Sequence, residues 1–530
     1  MLFTSYEFWG FIACLFLLYY LIPRKYQWVM LLAASYIFYF LAHPTYLIYI
    51  SVTTMTTFYA AMRIGQLLNV QKAHLELNKE TFSKEEKQGY KSSVRKKQRK
   101  WFIACLLINF GILAFLKYTN FTIANINSLL SVLGTGERLT FMNVILPMGI
   151  SFYTFQAMGY LIDVYQGKIK PEKSIFRFAL FVSFFPQLVQ GPISRFNDLS
   201  ATLYEEHRFD FKEVSYGFQR ILWGLFKKLV IADRILVAVN TIIKEPDEYN
   251  GVFVFVGMMF YAIQLYADFT GGIDITIGIA EVLGIRIKEN FNAPFLAKNI
   301  TDYWRRWHIT MGTWFRDYLF YPLSVSGPIL NLSRWSRRRL GDGLGRKIPV
   351  YLTTLIVWFA TGLWHGSSWN FIAWGLTNGI VIIISQAFEP LYARFHNKFP
   401  VKGKPLYSAF EVIRTVLLMS AIRMFDCYRD VPLTFRMFGS MFTTGNFSAL
   451  FDREVMKLGL SGADYIVLAA ATVILIASGI RRKEGSMRDR LEKIPARRRY
   501  LMIYLLGVII LLFGAYGVGY DATQFIYNQF

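Results

Sequence analysis

Two of the six histidines lie in sequence surroundings that suggest chemistry. His308 lies in an aromatic and basic stretch, and His365 lies between two apolar runs, directly before Gly366. Neutral imidazole has a pKa near 6.5 and can take the proton of an attacking hydroxyl group at neutral pH. Each of the two is therefore a candidate functional residue, and a hydrogen-bonded structural histidine is the alternative. The other four histidines lie at a turn or in charged segments, which is typical of surface positions: His43, His74, His207 and His396.

Charged residues near these histidines have two possible roles each. Asp268 and Asp274 interrupt an apolar run, so at least one is expected to face an internal funnel or pair with an arginine, and pairing is expected for Asp274. Arg305, Arg306 and Arg316 lie among aromatic residues. Their guanidinium groups could bind phosphate, or they could anchor a helix at a membrane interface. The residue pattern leaves both alternatives open.

The elements that position these residues are predicted to be transmembrane helices. Of 530 residues, 54% are hydrophobic and only 18% charged, whereas a soluble domain carries about 25% charged residues. The sequence therefore predicts an all-α, polytopic membrane protein. The apolar residues are grouped in runs that approach the length of a membrane span: Phe8–Ile22, Trp28–Phe40, Trp101–Leu116, Val350–Leu363, Phe371–Ile384, Tyr465–Ile480 and Leu501–Phe513.

The charge distribution predicts which loops are cytoplasmic. Residues 71–100 contain ten Lys and Arg against four acidic residues, and residues 481–499 contain nine against three. Residues 118–140 have no such excess. By the positive-inside rule, the first two segments are cytoplasmic and the third is outside, which puts both termini outside the cytoplasm. The net charge of +23 thus reflects membrane orientation and contact with lipid, and nucleic acid is not expected as a partner.

The central region is predicted to be irregular. Between about residues 175 and 325, proline or glycine interrupts the apolar runs at Pro186, Gly191-Pro192, Gly271-Gly272 and Pro294. Broken backbone at membrane depth is tolerated where protein buries it or where it lines a cavity. We therefore expect broken and re-entrant helices around a central funnel.

The chain is expected to form one integral membrane domain over residues 1–530. Its expected parts are N-terminal helices (1–165), a catalytic core (166–390) and C-terminal helices (391–530). The first apolar run has no preceding basic segment and is expected to remain as a helix. The three isolated cysteines, Cys14, Cys105 and Cys427, argue against a disulfide framework or a metal cluster.

Several motifs resemble the membrane-bound O-acyltransferase family, in particular its bacterial branch that acetylates exported polysaccharides. The resemblance is strong over about residues 180–380. The motifs that carry it are Gln190-Gly191-Pro192-Ile193, Tyr266-Ala267-Asp268-Phe269-Thr270-Gly271-Gly272, Asn290-Phe291-Asn292-Ala293-Pro294-Phe295, Tyr303-Trp304-Arg305-Arg306-Trp307-His308-Ile309, Trp314-Phe315-Arg316-Asp317-Tyr318 and Leu363-Trp364-His365-Gly366.

The resemblance implies roles for the two histidines: His365 is expected to be catalytic, with His308 as the second active-site residue. The chemistry of the residues themselves suggests that Arg305, Arg306 and Arg316 contact the phosphates of a coenzyme A donor. The glycine at 366 is expected to let a substrate approach the backbone. The residues expected to line the substrate funnel are Gln190, Asp268, Trp364 and Trp369.

The resemblance also implies a reaction. The donor would be cytoplasmic acetyl-CoA, with no permanently bound cofactor and no metal. The acetyl group would cross the membrane to an extracellular or periplasmic acetyltransferase partner that modifies a polysaccharide. One alternative is transfer of D-alanine from a carrier protein to a cell-wall polymer. Another is a transporter or polysaccharide exporter, against which the lack of an evident inverted repeat and the two histidine motifs argue.

Overall fold

A computed structural model describes residues 5–482 and 487–516, and within these ranges the chain is helical, with no β-strand. The chain divides into two compact units. Unit 1 comprises Met1–Val214 and Ala280–Lys288, and unit 2 comprises Ser215–Ile279 and Glu289–Phe530. The predicted all-α fold is therefore confirmed. The first and last residues of the chain, which are predicted to lie outside the cytoplasm, are not within the described ranges.

Unit 1 is built mainly from eight helices and the start of a ninth. In chain order they are α1 (Tyr6–Leu21), α2 (Gln27–Ala42), α3 (Tyr46–Leu77), α4 (Lys84–Val132), α5 (Ile150–Tyr165), α6 (Ile175–Ser183), α7 (Phe185–Gln190), α8 (Phe196–Leu203) and α9 (Phe211–Leu225), which continues into unit 2.

The basic segment 71–100, expected to be a loop, is mostly helical. α3 extends to Leu77, and α4 begins at Lys84 with a capping box in which Ser83 and Glu86 bond each other's backbone amides. Lys, Arg, Glu and Gln favour helices, so a charged composition indicates solvent exposure but not a loop. The 49 residues of α4 extend over about 73 Å. Since a bilayer's hydrocarbon core is about 30 Å thick, α4 also projects beyond it.

Unit 2 contains the remaining helices. They are α10 (Asp233–Lys244), α11 (Val252–Val282, whose last three residues belong to unit 1), α12 (Ile300–Arg306), α13 (Ile309–Phe315), α14 (Tyr321–Ser324), α15 (Gly327–Gly345), α16 (Lys347–His365), α17 (Trp369–Ala387), α18 (Glu389–Lys398), α19 (Pro405–Tyr428), α20 (Val431–Thr443), α21 (Gly462–Arg482), α22 (Met487–Glu492) and α23 (Ala496–Phe513). Two π-helical segments, Phe226–Ala232 and Arg316–Phe320, follow α9 and α13.

The predicted break at Gly271-Gly272 is wrong, because α11 continues through both glycines. A β-carbon at Gly224 of α9 would lie 2.6 Å from the carbonyl oxygen of Gly271. These glycines therefore allow two helix backbones to approach closely, as small residues do in membrane helix pairs. The breaks at Pro186 and Gly191 are confirmed, since α7 begins and ends beside them.

Six helices in the described ranges are long and apolar enough to cross a membrane: α4, α11, α16, α17, α19 and α21. Their number and composition fit the predicted multi-pass arrangement. Four of them, α11, α16, α17 and α19, contribute residues to the candidate site in unit 2.

Candidate functional site

A close helical hairpin formed by α16 and α17 positions His365. A β-carbon at Gly362 would lie 2.5 Å from the carbonyl oxygen of Phe371, and one at Gly375 would collide with the carbonyl oxygen of Trp358. The two glycines thus allow the helices to pack backbone to backbone. α16 ends at His365 and α17 begins at Trp369, so the imidazole lies at the closed end of the hairpin.

Aromatic rings surround the His365 imidazole. The centroid of the Trp374 ring lies 4.5 Å from it in an edge-to-face contact, and that of Trp364 lies 5.0 Å from it. The Phe371 ring is stacked parallel at 6.4 Å. A β-carbon at Gly366 would collide with the Phe371 ring, so the glycine makes space for this ring beside the imidazole. That Gly366 lets a substrate approach the backbone stays a prediction.

His308 is held in a strained backbone conformation between α12 and α13. It is fully buried, with a φ of 48° and a ψ of 52°. Such a conformation costs about 1–3 kcal/mol in a non-glycine residue and is found preferentially at functional sites. Asn290 stabilises it: its backbone oxygen accepts a bond from Ile309 N at 2.9 Å, and its Oδ1 accepts bonds from Thr310 N and Oγ1 at 3.0 and 2.9 Å.

The Asn290 side chain also contacts Nδ1 of His308 and favours one tautomer of the imidazole. Nδ1 of His308 lies 3.2 Å from Nδ2 and 3.3 Å from Oδ1 of Asn290. Thr310 already uses both lone pairs of Oδ1. Nδ2 is therefore the Asn290 group placed to donate to Nδ1, which favours the tautomer with the imidazole proton on Nε2.

The electrostatic environment makes His308 a weak base. Burial lowers the pKa of His308 from 6.5 to about 3, and the positive charge of Arg423 acts in the same direction. A group with so little proton affinity is poorly matched to removing a hydroxyl proton near neutral pH. Of the two histidines, His365 is therefore the better candidate for the base.

The structure brings His308, Trp364 and His365 together. The Trp364 ring is buried, with its centroid 5.7 Å from His308 and 5.0 Å from His365. Trp369, by contrast, is 60% exposed, so it does not enclose the site as Trp364 does. The fully buried Trp374 encloses His365 instead.

Asp268, predicted to line the funnel, is fully buried in an ion cluster. Nζ of Lys228 lies 2.6 Å from Asp268 Oδ1 and 2.7 Å from Asp233 Oδ1. Asp274 is paired with Arg220 at 2.8 Å and with Lys227 at 2.6 Å, as expected for this aspartate. The two neighbouring lysines of the π-helical segment thus compensate two carboxylates of α11, which identifies structural roles for both aspartates.

The three arginines proposed to bind the donor differ in their surroundings. Arg305 is exposed. Arg306 pairs with Asp302 one turn earlier at 2.8 Å, and Arg316 pairs with Asp317 at 2.8 Å while remaining 54% exposed. Arg305 is therefore the most accessible of the three guanidinium groups to a phosphate.

Gln190 lies in unit 1, at the C-terminal end of α7. It is 1% exposed, and neither its Oε1 nor its Nε2 has a hydrogen-bond partner within the described ranges. A buried side-chain amide without hydrogen-bond partners usually faces a ligand or an ordered water. Its predicted role in lining the funnel stays a prediction.

Two contributors to the site were missed from the sequence. Asn290 belongs to one of the motifs that resemble the family, but its role depends on the fold of the segment after α11. Arg423 of α19 is 4% exposed, and its guanidinium carbon lies 4.3 Å from the Trp307 ring centroid. The sequence feature that could have identified Arg423 is a charged residue in an apolar helix.

Comparisons with known proteins identify the family of this chain. The model of the membrane-bound O-acyltransferase family (MBOAT) matches residues 170–333. The protein named "Probable alginate O-acetylase AlgI" of Azotobacter vinelandii is 30% identical over 91% of this chain and 85% of its own length. The peptidoglycan O-acetyltransferase of Helicobacter pylori is 31% identical over 57% of this chain and 58% of its own length. The teichoic acid D-alanyltransferase of Bacillus subtilis is 29% identical over 47% of this chain and 60% of its own length. Because the first of these similarities spans most of both chains, this chain belongs to the membrane-bound O-acyltransferase family.

Proposed function

We propose that this membrane O-acyltransferase moves an acetyl group from cytoplasmic acetyl-CoA across the membrane, for O-acetylation of an exported or cell-wall polysaccharide. The observation that carries the proposal is the buried cluster of His308, Trp364 and His365. Two relatives named as O-acetylating enzymes of alginate and peptidoglycan support the acetyl group and the glycan acceptor. Final transfer to the glycan is made by an extracytoplasmic partner.

The chemistry is attack of a hydroxyl group on a thioester. His365 takes the hydroxyl proton as the oxygen attacks the acetyl carbonyl carbon, and the carbonyl electron pair moves onto its oxygen. When the carbonyl re-forms, the carbon–sulfur bond breaks and the thiolate leaves with a proton. His308, neutral and with its proton on Nε2, contributes a hydrogen bond donor. The surrounding tryptophans exclude water, which would otherwise hydrolyse the thioester.

The donor is proposed to contact the arginines of α12. Replacing Arg305 and Arg306 together by glutamine is expected to weaken acetyl-CoA binding. Losing a charge-assisted contact to phosphate costs about 1.5–3 kcal/mol, which corresponds to roughly 10- to 150-fold in affinity. The measurement is acetyl-CoA affinity of the purified protein in detergent.

Two variants make this test specific. Arg305→Gln alone leaves the pair between Arg306 and Asp302 intact, so it separates phosphate binding from helix stability. Arg346→Gln removes an exposed arginine of an ordinary surface pair with Asp342 and should bind the donor like the wild type. Unchanged affinity in the double variant, with normal elution on sizing, would contradict the assignment.

The orientation that follows from the charge distribution puts residues 71–100 and 481–499 in the cytoplasm and both termini outside. α4 offers a direct test because it begins at Lys84 and ends five residues before Glu137. In a background without Cys14, Cys105 and Cys427, a cysteine at 137 should react with an impermeant thiol reagent on intact cells. A cysteine at 84 should react only after the cells are opened. The opposite labelling pattern would reverse the orientation.

Transfer of D-alanine is the second candidate function, and similarity to a teichoic acid D-alanyltransferase favours it. That similarity covers about half of this chain, whereas similarity to the alginate O-acetylase covers nine-tenths. Ester-linked acetate or D-alanine released by mild alkali from the cell-envelope glycans distinguishes the two. Acetate that disappears on deletion of the gene supports the proposal, and loss of D-alanine instead contradicts it. The exporter alternative does not fit membership of an acyltransferase family.

A further inference from the structure

Arg423 is a buried cation on α19 that the mechanism above does not use. Its side chain and that of Asp426, three residues later, are each 5% exposed, and Nη1 lies 3.2 Å from Asp426 Oδ2. Burying a charge in an apolar helix is costly even when it is paired. The ion pair with Asp426 engages only one nitrogen of the guanidinium.

The guanidinium lies on the aromatic cluster that contacts both histidines. Its central carbon is 4.3 Å from the ring centroid of Trp307, the residue before His308. It is 5.8 Å from the ring centroid of Trp374, which in turn contacts His365 at 4.5 Å. A guanidinium over tryptophan faces is stabilised by cation–π attraction, which is strongest in dry surroundings. Arg423 thus contacts the segment that carries His308 and the helix α17, whose Trp374 packs on His365.

The hydrogen bonds of Arg423 are incomplete. Nη1 is bonded to Asp426, and the Tyr303 hydroxyl is a second hydrogen-bond partner of the guanidinium. Nε and Nη2 are both buried, and neither has a hydrogen-bond partner in the part of the chain that the structure describes. Buried donors of a charged group are rarely left unsatisfied in a native protein. Two adjacent N–H donors on a fixed guanidinium match an oxygen that carries negative charge.

We infer that Arg423 stabilises the transition state by donating Nε–H and Nη2–H to the acyl carbonyl oxygen as it becomes negatively charged. The inference rests on the proposed acyl transfer. As the hydroxyl oxygen attacks, one carbon–oxygen bond forms and the carbonyl electron pair moves to the oxygen facing Arg423. His365 holds the hydroxyl proton. The electron pair then returns, the carbon–sulfur bond breaks, and the thiolate takes a proton.

Asp426 is a positioning residue in this account. Its carboxylate binds Nη1, which leaves the Nε and Nη2 side of the guanidinium directed away from the pair. The Asp426 carboxylate also compensates the positive charge of Arg423 when no negatively charged acyl oxygen is present. Prearranged donors of this kind, which need no reorganisation during the reaction, are among the largest contributors to enzymatic rate enhancement.

The decisive variant replaces the pair as a unit, Arg423→Met with Asp426→Leu. Removing Arg423 alone leaves Asp426 buried without its cation and destabilises the fold, whereas apolar replacement of a whole buried pair is often neutral. Methionine also keeps packing against the tryptophans. Arg436→Gln, in a surface pair with Asp247, is the matched control and should behave like the wild type.

The measurement is acetyl transfer from acetyl-CoA in membrane vesicles at saturating and limiting donor concentrations. The double variant should elute and melt like the wild type, with kcat lowered about 10²–10³-fold and KM for acetyl-CoA unchanged. A wild-type kcat in the double variant, or an effect confined to KM, would overturn the role of Arg423. An inactive wild-type protein would instead overturn the proposed acetyl transfer on which the inference rests.

Discussion

Replacing His365 by glutamine is expected to lower the rate of acyl transfer at least 100-fold. Glutamine keeps much of the volume and the hydrogen bonding of histidine but cannot accept a proton at neutral pH. General-base assistance contributes about 10²–10⁴-fold to a rate. His308 is not expected to replace the lost base, because burial lowers its pKa to about 3. The measurement is the O-acyl content of cell-envelope glycans in cells that carry each variant.

Two controls accompany this prediction. The membrane abundance of each variant is measured in parallel, because a poorly folded protein would also lose activity. His396→Gln replaces a histidine of α18 that bonds the Tyr407 hydroxyl, far in sequence from the motifs, and should leave acylation unchanged. Normal glycan acylation by a well-expressed His365→Gln protein would remove His365 from the mechanism.

Replacing Lys228 by methionine is expected to prevent accumulation of the folded protein. The lysine is 1% exposed and compensates both Asp268 and Asp233. Removing one partner of a buried ion pair costs about 3–5 kcal/mol, because the other charge is left uncompensated. That loss is a large fraction of the stability of a typical domain. The measurement is the melting temperature and yield of the protein in detergent, followed by size-exclusion chromatography.

Two further variants test whether the lost stability comes from the uncompensated carboxylates. Neutralising Asp268 as well, in Lys228→Met with Asp268→Asn, should recover part of the lost stability. Lys457→Met removes an exposed lysine, 67% accessible, from a surface pair with Glu454 and should change stability little. If Lys228→Met melts like the wild type, the ion cluster is not what holds α11 to the π-helical segment.

Both histidines of the site could be predicted from the sequence, because each lies in a short motif whose residues stay together in the structure. Trp364 is adjacent to His365 along the chain and contacts it for that reason. Trp369 and Trp374 were less predictable. Trp369, the first residue of α17, is exposed, and Trp374, the sixth, packs on the His365 imidazole. Which of the two contacts His365 depends on how α17 is rotated about its own axis.

The remainder of the site depends on tertiary structure. Arg423 and Asp426 belong to α19, far along the chain from either histidine motif. Their spacing of three residues puts both on one face of an apolar helix, which is a usable signal for a buried pair. Nothing in the sequence indicates that this face packs on Trp307 and Trp374.

Two predictions about the helices failed for identifiable reasons. Paired glycines in an apolar run predict a break when considered locally, but at Gly271 they allow α9 to pack against an intact α11. The basic segment 71–100 was expected to be a loop because it is polar. Polarity reports contact with water, and helical stretches of this composition remain stable when they project from the membrane.

Acetyl transfer that depends on His365 can be measured with inverted membrane vesicles, which expose their cytoplasmic face to added acetyl-CoA labelled in the acetyl group. The measured quantities are the coenzyme A thiol released and the label recovered in alkali-labile esters. With the wild-type protein we expect equal amounts of thiol and ester, well above those in vesicles lacking the protein, and neither from His365→Gln. Wild-type vesicles that release no thiol, or that form no ester beyond this background, would rule out the proposed acetyl transfer.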